Sequence, residues 1–212
     1  FSSAVKSLIN KTGGAAGAVS GSITTSTTSP FSSSWGFNAT DGSDYVNVLS
    51  GFAPVFTADF SISAVFSFDS VSAGTDRRLF GFENTALSEN LAVGMDTDSS
   101  TGTKIYTAGE TGGVGGDTTL SNVFNWYTLT WNQTQFSLYK NGALLYSVTP
   151  SGSNWKTARN FFTLAGGPSG TQSRLNNAAG LYALFETKQA VKSADLVSTE
   201  YDNQNNPSTF WT

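Results

Sequence analysis

Between Trp126 and Val148 the chain reads WYTLTWNQTQFSLYKNGALLYSV, and apolar and polar positions alternate in short runs. Tyr127, Leu129 and Trp131 alternate with polar residues, which is the two-residue period of a half-buried strand. Asn132-Gln133-Thr134 breaks the run, and Phe136 and Leu138 resume it. Asn141-Gly142 supplies the positive φ that both central positions of a type I′ turn require. A hairpin is therefore predicted there, with Leu144-Leu145-Tyr146 starting the return strand. Phe60 to Phe68 (FSISAVFSF) carries the same period, with Phe60, Ile62, Ala64, Phe66 and Phe68 on one face.

Weaker strand signals recur from Pro30 onward, with turn residues between them. Trp35-Gly36-Phe37 leads through the turn Asp41-Gly42-Ser43-Asp44 to Tyr45-Val46-Asn47-Val48. Further strands are predicted at Arg77 to Phe82, Leu91 to Met95, Lys104 to Thr107, Phe161 to Ala165 and Gly180 to Glu186. Gly109 to Gly116 reads as a glycine-rich loop. Many short strands separated by turns, with few helical periods, predict an all-β antiparallel jelly-roll β-sandwich of two sheets. One short helix is predicted near the C-terminus. It starts at Ser193-Ala194-Asp195-Leu196, packs Leu196, Val197 and Tyr201 inward, and is limited by Pro207. Residues 1–29 differ from the rest. Phe1 to Asn10 suits a short amphipathic helix with Val5, Leu8 and Ile9 on one face. Gly13 to Gly21 is small and flexible, and Ile23 to Ser29 is β-branched and polar. The stretch is expected to be a linker, a docking arm or a first edge strand, which sets the domain at residues 30–212.

Composition narrows the chemistry. At 212 residues the chain is long enough for a sizeable core without staples. It contains no cysteine, so disulfides and thiol chemistry are absent. It contains no histidine either, which removes the Ser-His-Asp and Cys-His mechanisms and the commonest zinc ligand. Net charge is −4 with only 12% charged residues, so a nucleic-acid partner is not expected. The apolar runs are far shorter than a membrane span, so no membrane insertion is expected. The chain opens on Phe1 and not on Met, and it is expected to be a portion of something longer.

Four stretches carry a family resemblance. Phe37 to Val46 (FNATDGSDYV) looks like an opening strand with an aspartate-bearing turn. Phe60 to Phe68 is a serine-interleaved aromatic strand. Trp126 to Leu145 is an aromatic strand followed by Leu138-Tyr139-Lys140-Asn141-Gly142. Thr199 to Phe210 is the tail TEYDNQNNPSTF. Together, over roughly residues 31–212, they resemble the laminin-G-like branch of the concanavalin A-like lectin/glucanase superfamily. That resemblance implies two antiparallel sheets, one of them concave, with ligands on the concave face or on a rim of loops, often beside calcium. It is specific for fold and weak for function, because the superfold hosts lectins, adhesion modules, glycosidases and spacers.

Three constellations are weighed for chemistry. Glycoside hydrolysis needs two carboxylates across a cleft. Glucanase relatives carry them as Glu-x-Asp-x-x-Glu on one strand, whereas Asp96-Thr97-Asp98 here lacks both glutamates. An enzyme is not expected on that count, although a divergent glycoside hydrolase using Asp96 or Asp98 stands as an alternative. Calcium favours oxygen-rich loops. Asp96 and Asp98 in the stretch Asp96 to Gly102, and Asp41 and Asp44 in the preceding turn, are the candidate ligands. Both stretches equally suit turns in which aspartate accepts local hydrogen bonds. Sugars stack on exposed aromatics, and Trp155 beside Asn154 lies in a polar loop. Trp35, Trp126 and Trp131 lie in strand patterns and are assigned to the core. Asn10-Lys11-Thr12, Asn38-Ala39-Thr40 and Asn132-Gln133-Thr134 match the N-glycosylation acceptor pattern.

The expectation is a non-enzymatic module at an extracellular, cell or virion surface, with a glycan or cell-surface polysaccharide as partner. Candidate ligand-binding residues are Trp155, Asn154, Asp41 and Asp44. The alternative from a different class is a structural decoration or spacer domain that contacts neighbouring subunits of a larger assembly.

Overall fold

The computed structural model describes residues 7–8, 17–20, 24–26, 34–37, 45–49, 58–68, 77–83, 93–98, 102–107, 123–149, 161–164, 176–177, 180–188 and 190–205, with side chains at 58–67, 123–149, 188 and 190–205. Strands precede a single C-terminal helix among these residues. In chain order they are β1 (Ser7–Leu8), β2 (Gly17–Ser20), β3 (Thr24–Ser26), β4 (Ser34–Phe37) and β5 (Tyr45–Leu49). β6 (Phe60–Phe68), β7 (Arg77–Glu83), β8 (Val93–Asp98), β9 (Gly102–Thr107) and β10 (Asn125–Trp131) follow. β11 (Phe136–Lys140), β12 (Ala143–Val148), β13 (Phe161–Leu164), β14 (Asn176–Asn177) and β15 (Gly180–Lys188) lead into α1 (Ala194–Asn205).

The strands pair into an eight-stranded and a seven-stranded sheet. The first runs β1-β2-β5-β13-β7-β8-β9, with β14 beside β7, and the second runs β12-β11-β10-β6-β15-β4-β3. Pairing is antiparallel except for β14 on β7. The hairpin predicted at Asn141-Gly142 is present: Asn141 has φ 51° and Gly142 φ 80°, and Lys140 lies opposite Ala143. The ladder shifts by one residue between Leu138 and Tyr139, so Leu145 has no opposite number. Such a bulge bends the outer strand.

The stretch read as linker, arm or edge strand carries three strands. β1 pairs with β2, β2 pairs with β5, and β3 pairs with β4, so pairing crosses residue 30. A helix over residues 1–10 does not hold at Ser7–Leu8, which is a strand. Three apolar residues do not stabilise so short a helix in water, while a neighbouring strand offers backbone partners.

β6 and β10 lie side by side at the centre of the seven-stranded sheet, and both of their faces are buried. Their register is Phe60 opposite Trp131, Ile62 opposite Leu129 and Ala64 opposite Tyr127. With Phe66, and with Phe136 and Leu138 from β11, these residues form one apolar face. The Phe136 ring stands 4.2 Å from Trp131 and meets Phe60 edge-on at 6.3 Å. Centroid separations in that range suit tilted and edge-to-face aromatic pairs. The other face of the same strands is polar. Ser61, Ser63, Ser67, Thr128 and Thr130 are buried there beside Val65, Trp126 and Tyr139. Buried hydroxyls need partners, and for Ser61 and Ser63 the C-terminal segment supplies them.

Candidate functional site

Ala190 to Ser193 crosses the polar face as a strap, and α1 follows it. Ser61 Oγ donates to the Ala190 carbonyl at 2.7 Å and accepts the Lys192 N–H at 2.8 Å. Lys192 is buried, and its ammonium donates to Ser63 Oγ at 3.2 Å and to Glu200 Oε2 at 2.6 Å. Ser63 Oγ and Thr128 Oγ1 share a hydrogen bond of 3.0 Å, and Trp126 Nε1 donates to Thr128 Oγ1 at 3.1 Å. The result is a connected polar layer running from the strap to the indole. A charge inside a protein is tolerated only with such pairing. Trp126 and Trp131 are both buried, as expected, but they lie on opposite faces. Trp126 belongs to this polar layer and Trp131 to the apolar face.

α1 begins where the sequence places it. Ser193 is the cap: its Oγ accepts the Leu196 N–H at 3.2 Å and its carbonyl accepts the Val197 N–H at 3.0 Å. Val197 is fully buried, while Leu196 and Tyr201 are half-buried. The helix reaches the Asn141-Gly142 turn. A Cβ on Gly142 would stand 3.2 Å from the Ser198 Cα and 3.2 Å from Tyr201 Cδ1.

A second constellation ties the same turn to β10. Asn141 Oδ1 accepts the Trp126 N–H at 2.9 Å, and Asn141 Nδ2 donates to Asn125 Oδ1 at 2.9 Å. The Asn141 N–H donates to the Trp126 carbonyl at 2.8 Å.

Of the residues singled out from the sequence, Asp41, Asp44, Asn154 and Trp155 lie outside the described residues. Asp96 and Asp98 are placed by backbone register alone. They stand inside β8 with Asp98 opposite Gly102, so the stretch Asp96 to Gly102 is a hairpin joined by residues 99–101. Asp96 lies opposite Lys104 on β9 and opposite Arg78 on β7, and Asn177 of β14 lies opposite Arg78. One row across four strands thus reads Asn177, Arg78, Asp96, Lys104. Arg78, Asp96 and Lys104 stand on three consecutive strands, and Asn177 joins them from far along the chain. Among the residues with described side chains, no group of three acidic residues converges as a metal site.

Lys192, Ser61, Ser63 and Glu200 were not legible as a unit either. The alternating serines of β6 signal a polar face, but nothing in the sequence names a lone lysine before a helix cap as their partner.

No protein-family model matches the sequence, and no characterised protein matches it by sequence. Solved structures do match by shape. Domain 4 of AbnA, a GH43 extracellular arabinanase from Geobacillus stearothermophilus solved in complex with arabinotriose, superposes with a TM-score of 0.66 at 13% identity. That match covers 89% of this chain and 90% of the domain. The binding domain of Paraclostridial Mosquitocidal Protein 1 matches with a TM-score of 0.65 at 14% identity, over 91% of this chain and 48% of that one. Trypanosoma rangeli sialidase in complex with sialic acid matches with a TM-score of 0.68 at 13% identity, over 91% of this chain and 30% of the enzyme. The chain therefore spans about half of the mosquitocidal binding domain and under a third of the sialidase. At these identities the likeness is one of fold: a mostly β, antiparallel domain with a short C-terminal helix.

Proposed function

We propose that the chain is a non-catalytic carbohydrate-binding domain built as a laminin-G-like jelly-roll sandwich and displayed at an extracellular, cell or virion surface. The observation that carries this reading is the match to the arabinanase domain. It spans nearly the whole of both chains, and that domain was solved with an oligosaccharide in place. The sialidase with sialic acid and botulinum neurotoxin type C, whose cell entry depends on two ganglioside molecules, add support of the same kind. A binding role, not a catalytic one, is favoured because no histidine or cysteine is present and because Asp96 and Asp98 lack the glutamate partners that glucanases use.

We take the row of Asn177, Arg78, Asp96 and Lys104, which lie opposite one another in register, as a candidate site for this reading. Amide, guanidinium and carboxylate groups are the groups that orient a sugar by hydrogen bonds in a site. Asp96 stands in register between Arg78 and Lys104. Asp41, Asp44, Asp96 and Asp98 remain the candidates for calcium, and Trp155 beside Asn154 the candidate for aromatic stacking.

A glycan array including arabino-oligosaccharides, sialylated glycans and gangliosides, read with and without a chelator, tests the proposal. Binding to a defined glycan is expected, with at least tenfold weakening in Asp96→Asn or Trp155→Ala. Absence of binding across the array, from a cooperatively folded sample, overturns it and leaves a spacer domain acting through protein contacts. Chelator-sensitive binding that Asp41→Asn or Asp44→Asn abolishes, and Asp98→Asn does not, assigns calcium to Asp41 and Asp44.

A further inference from the structure

The turn between β10 and β11 holds Asn132-Gln133-Thr134, and all three residues are exposed. Asn132 Oδ1 accepts three hydrogen bonds: from the Thr134 N–H at 3.1 Å, the Thr134 hydroxyl at 2.8 Å and the Gln135 N–H at 2.8 Å. The Asn132 N–H donates to the Gln135 carbonyl at 3.3 Å, closing the turn. Gln133 takes the left-handed conformation at φ 72°, and its Nε2 donates to Asp59 Oδ1 at 2.9 Å. The carbonyl end of the Asn132 amide is thus fully committed. The Nδ2 end donates to no protein group among the described residues.

We propose that Asn132 is an N-glycan acceptor that stays accessible in the folded domain. The reaction is a group transfer from a polyprenyl-diphosphate-linked oligosaccharide. A bond forms between Asn132 Nδ2 and the anomeric carbon of the sugar. The bond from that carbon to the diphosphate oxygen breaks, the polyprenyl diphosphate leaves with the electron pair, and Nδ2 releases one proton to solvent. Two features favour this asparagine. The threonine hydroxyl bonded to Oδ1 polarises the amide, which eases loss of the Nδ2 proton, and couples the two residues of the acceptor pattern in one geometry. The turn also projects from the end of the β10–β11 hairpin, where both ladder partners are already satisfied, so an attached glycan displaces no backbone hydrogen bond. Of the three acceptor patterns, those at Asn10 and Asn38 lie outside the described residues.

Occurrence in the source cell rests on the surface location proposed above, but the acceptor chemistry does not. The full chain is expressed behind a secretion leader in an N-glycosylating eukaryotic cell. The secreted product is treated with peptide N-glycosidase in heavy-oxygen water and mapped by mass spectrometry. The expected result is heavy aspartate at position 132 in most molecules. Thr134→Ser should retain occupancy, and Thr134→Ala should reduce it to background. An unmodified Asn132 in protease-resistant secreted protein, with a control glycoprotein occupied in the same cells, overturns the proposal. The glycan array is run on the deglycosylated protein, so failure of ligand binding and failure of acceptor function are read separately.

Discussion

At the scale of single residues, Lys192 is the unusual one. Its side chain is 2% exposed, and its partner Glu200 is 29% exposed. Removing one member of a buried pair leaves an uncompensated charge, which typically costs several kcal/mol; the partial exposure of Glu200 lowers that figure. Glu200→Gln is therefore expected to destabilise the fold by about 1–3 kcal/mol in urea titrations. The double variant Lys192→Met/Glu200→Gln should lose less than the sum of the two single changes, because the pair then disappears together. A Glu200→Gln chain as stable as the parent would show that the pair contributes nothing. Tyr139, buried on the same face, has its phenol pushed above the ordinary value by loss of solvent. The folded state therefore prefers the neutral phenol. That contribution is complete below about pH 10, the ordinary tyrosine value, and is lost as pH rises toward the higher folded value. Stability measured from pH 8 to 11 should fall less steeply in Tyr139→Phe.

At the scale of elements, the contact between α1 and the β11–β12 turn depends on one missing side chain. Gly142 combines a left-handed backbone with a helix backbone in close approach. Alanine there meets both penalties, and Gly142→Ala should cost about 1–2 kcal/mol or more. Gly142→Asn separates them, since asparagine tolerates the conformation but still carries the Cβ that meets Ser198. Thermal unfolding that leaves both variants at the parent midpoint would exclude the close approach. The elements themselves were largely legible. Alternation in Phe60–Phe68 and Tyr127–Trp131, the Asn-Gly turn and the Ser193 cap are local signals, and each is found where the pattern places it. Of β1, β2 and β3 the sequence offered only a first edge strand as one alternative, because they are two to four residues long and lack an apolar alternation. They exist through their partners. The left-handed Gln133 was equally silent, since its conformation is imposed by the bonds that Asn132 and Asp59 make on either side of it.

At the scale of the whole molecule, strand order is the property the chain does not spell out. β5, β13 and β7 are neighbours although about 110 residues of chain separate β5 from β13. In the row of Asn177, Arg78, Asp96 and Lys104, only Asn177 is brought in from far along the chain, because the other three stand on the consecutive strands β7, β8 and β9. The family resemblance, by contrast, implied an antiparallel all-β fold with a short C-terminal helix, and a mostly β, antiparallel fold with that helix is what the structure has.

The Asn141 amide carries a consequence for the protein's lifetime. Asparagine followed by glycine is prone to spontaneous loss of ammonia, because the glycine nitrogen can close on the side-chain carbonyl carbon. Here the Trp126 N–H holds the oxygen of that amide and Asn125 Oδ1 accepts from its nitrogen. Ring closure would have to break both bonds and unlock the turn. The fold therefore shields its most age-sensitive bond for as long as the hairpin stays shut, and succinimide chemistry at position 141 becomes a record of how often it has opened.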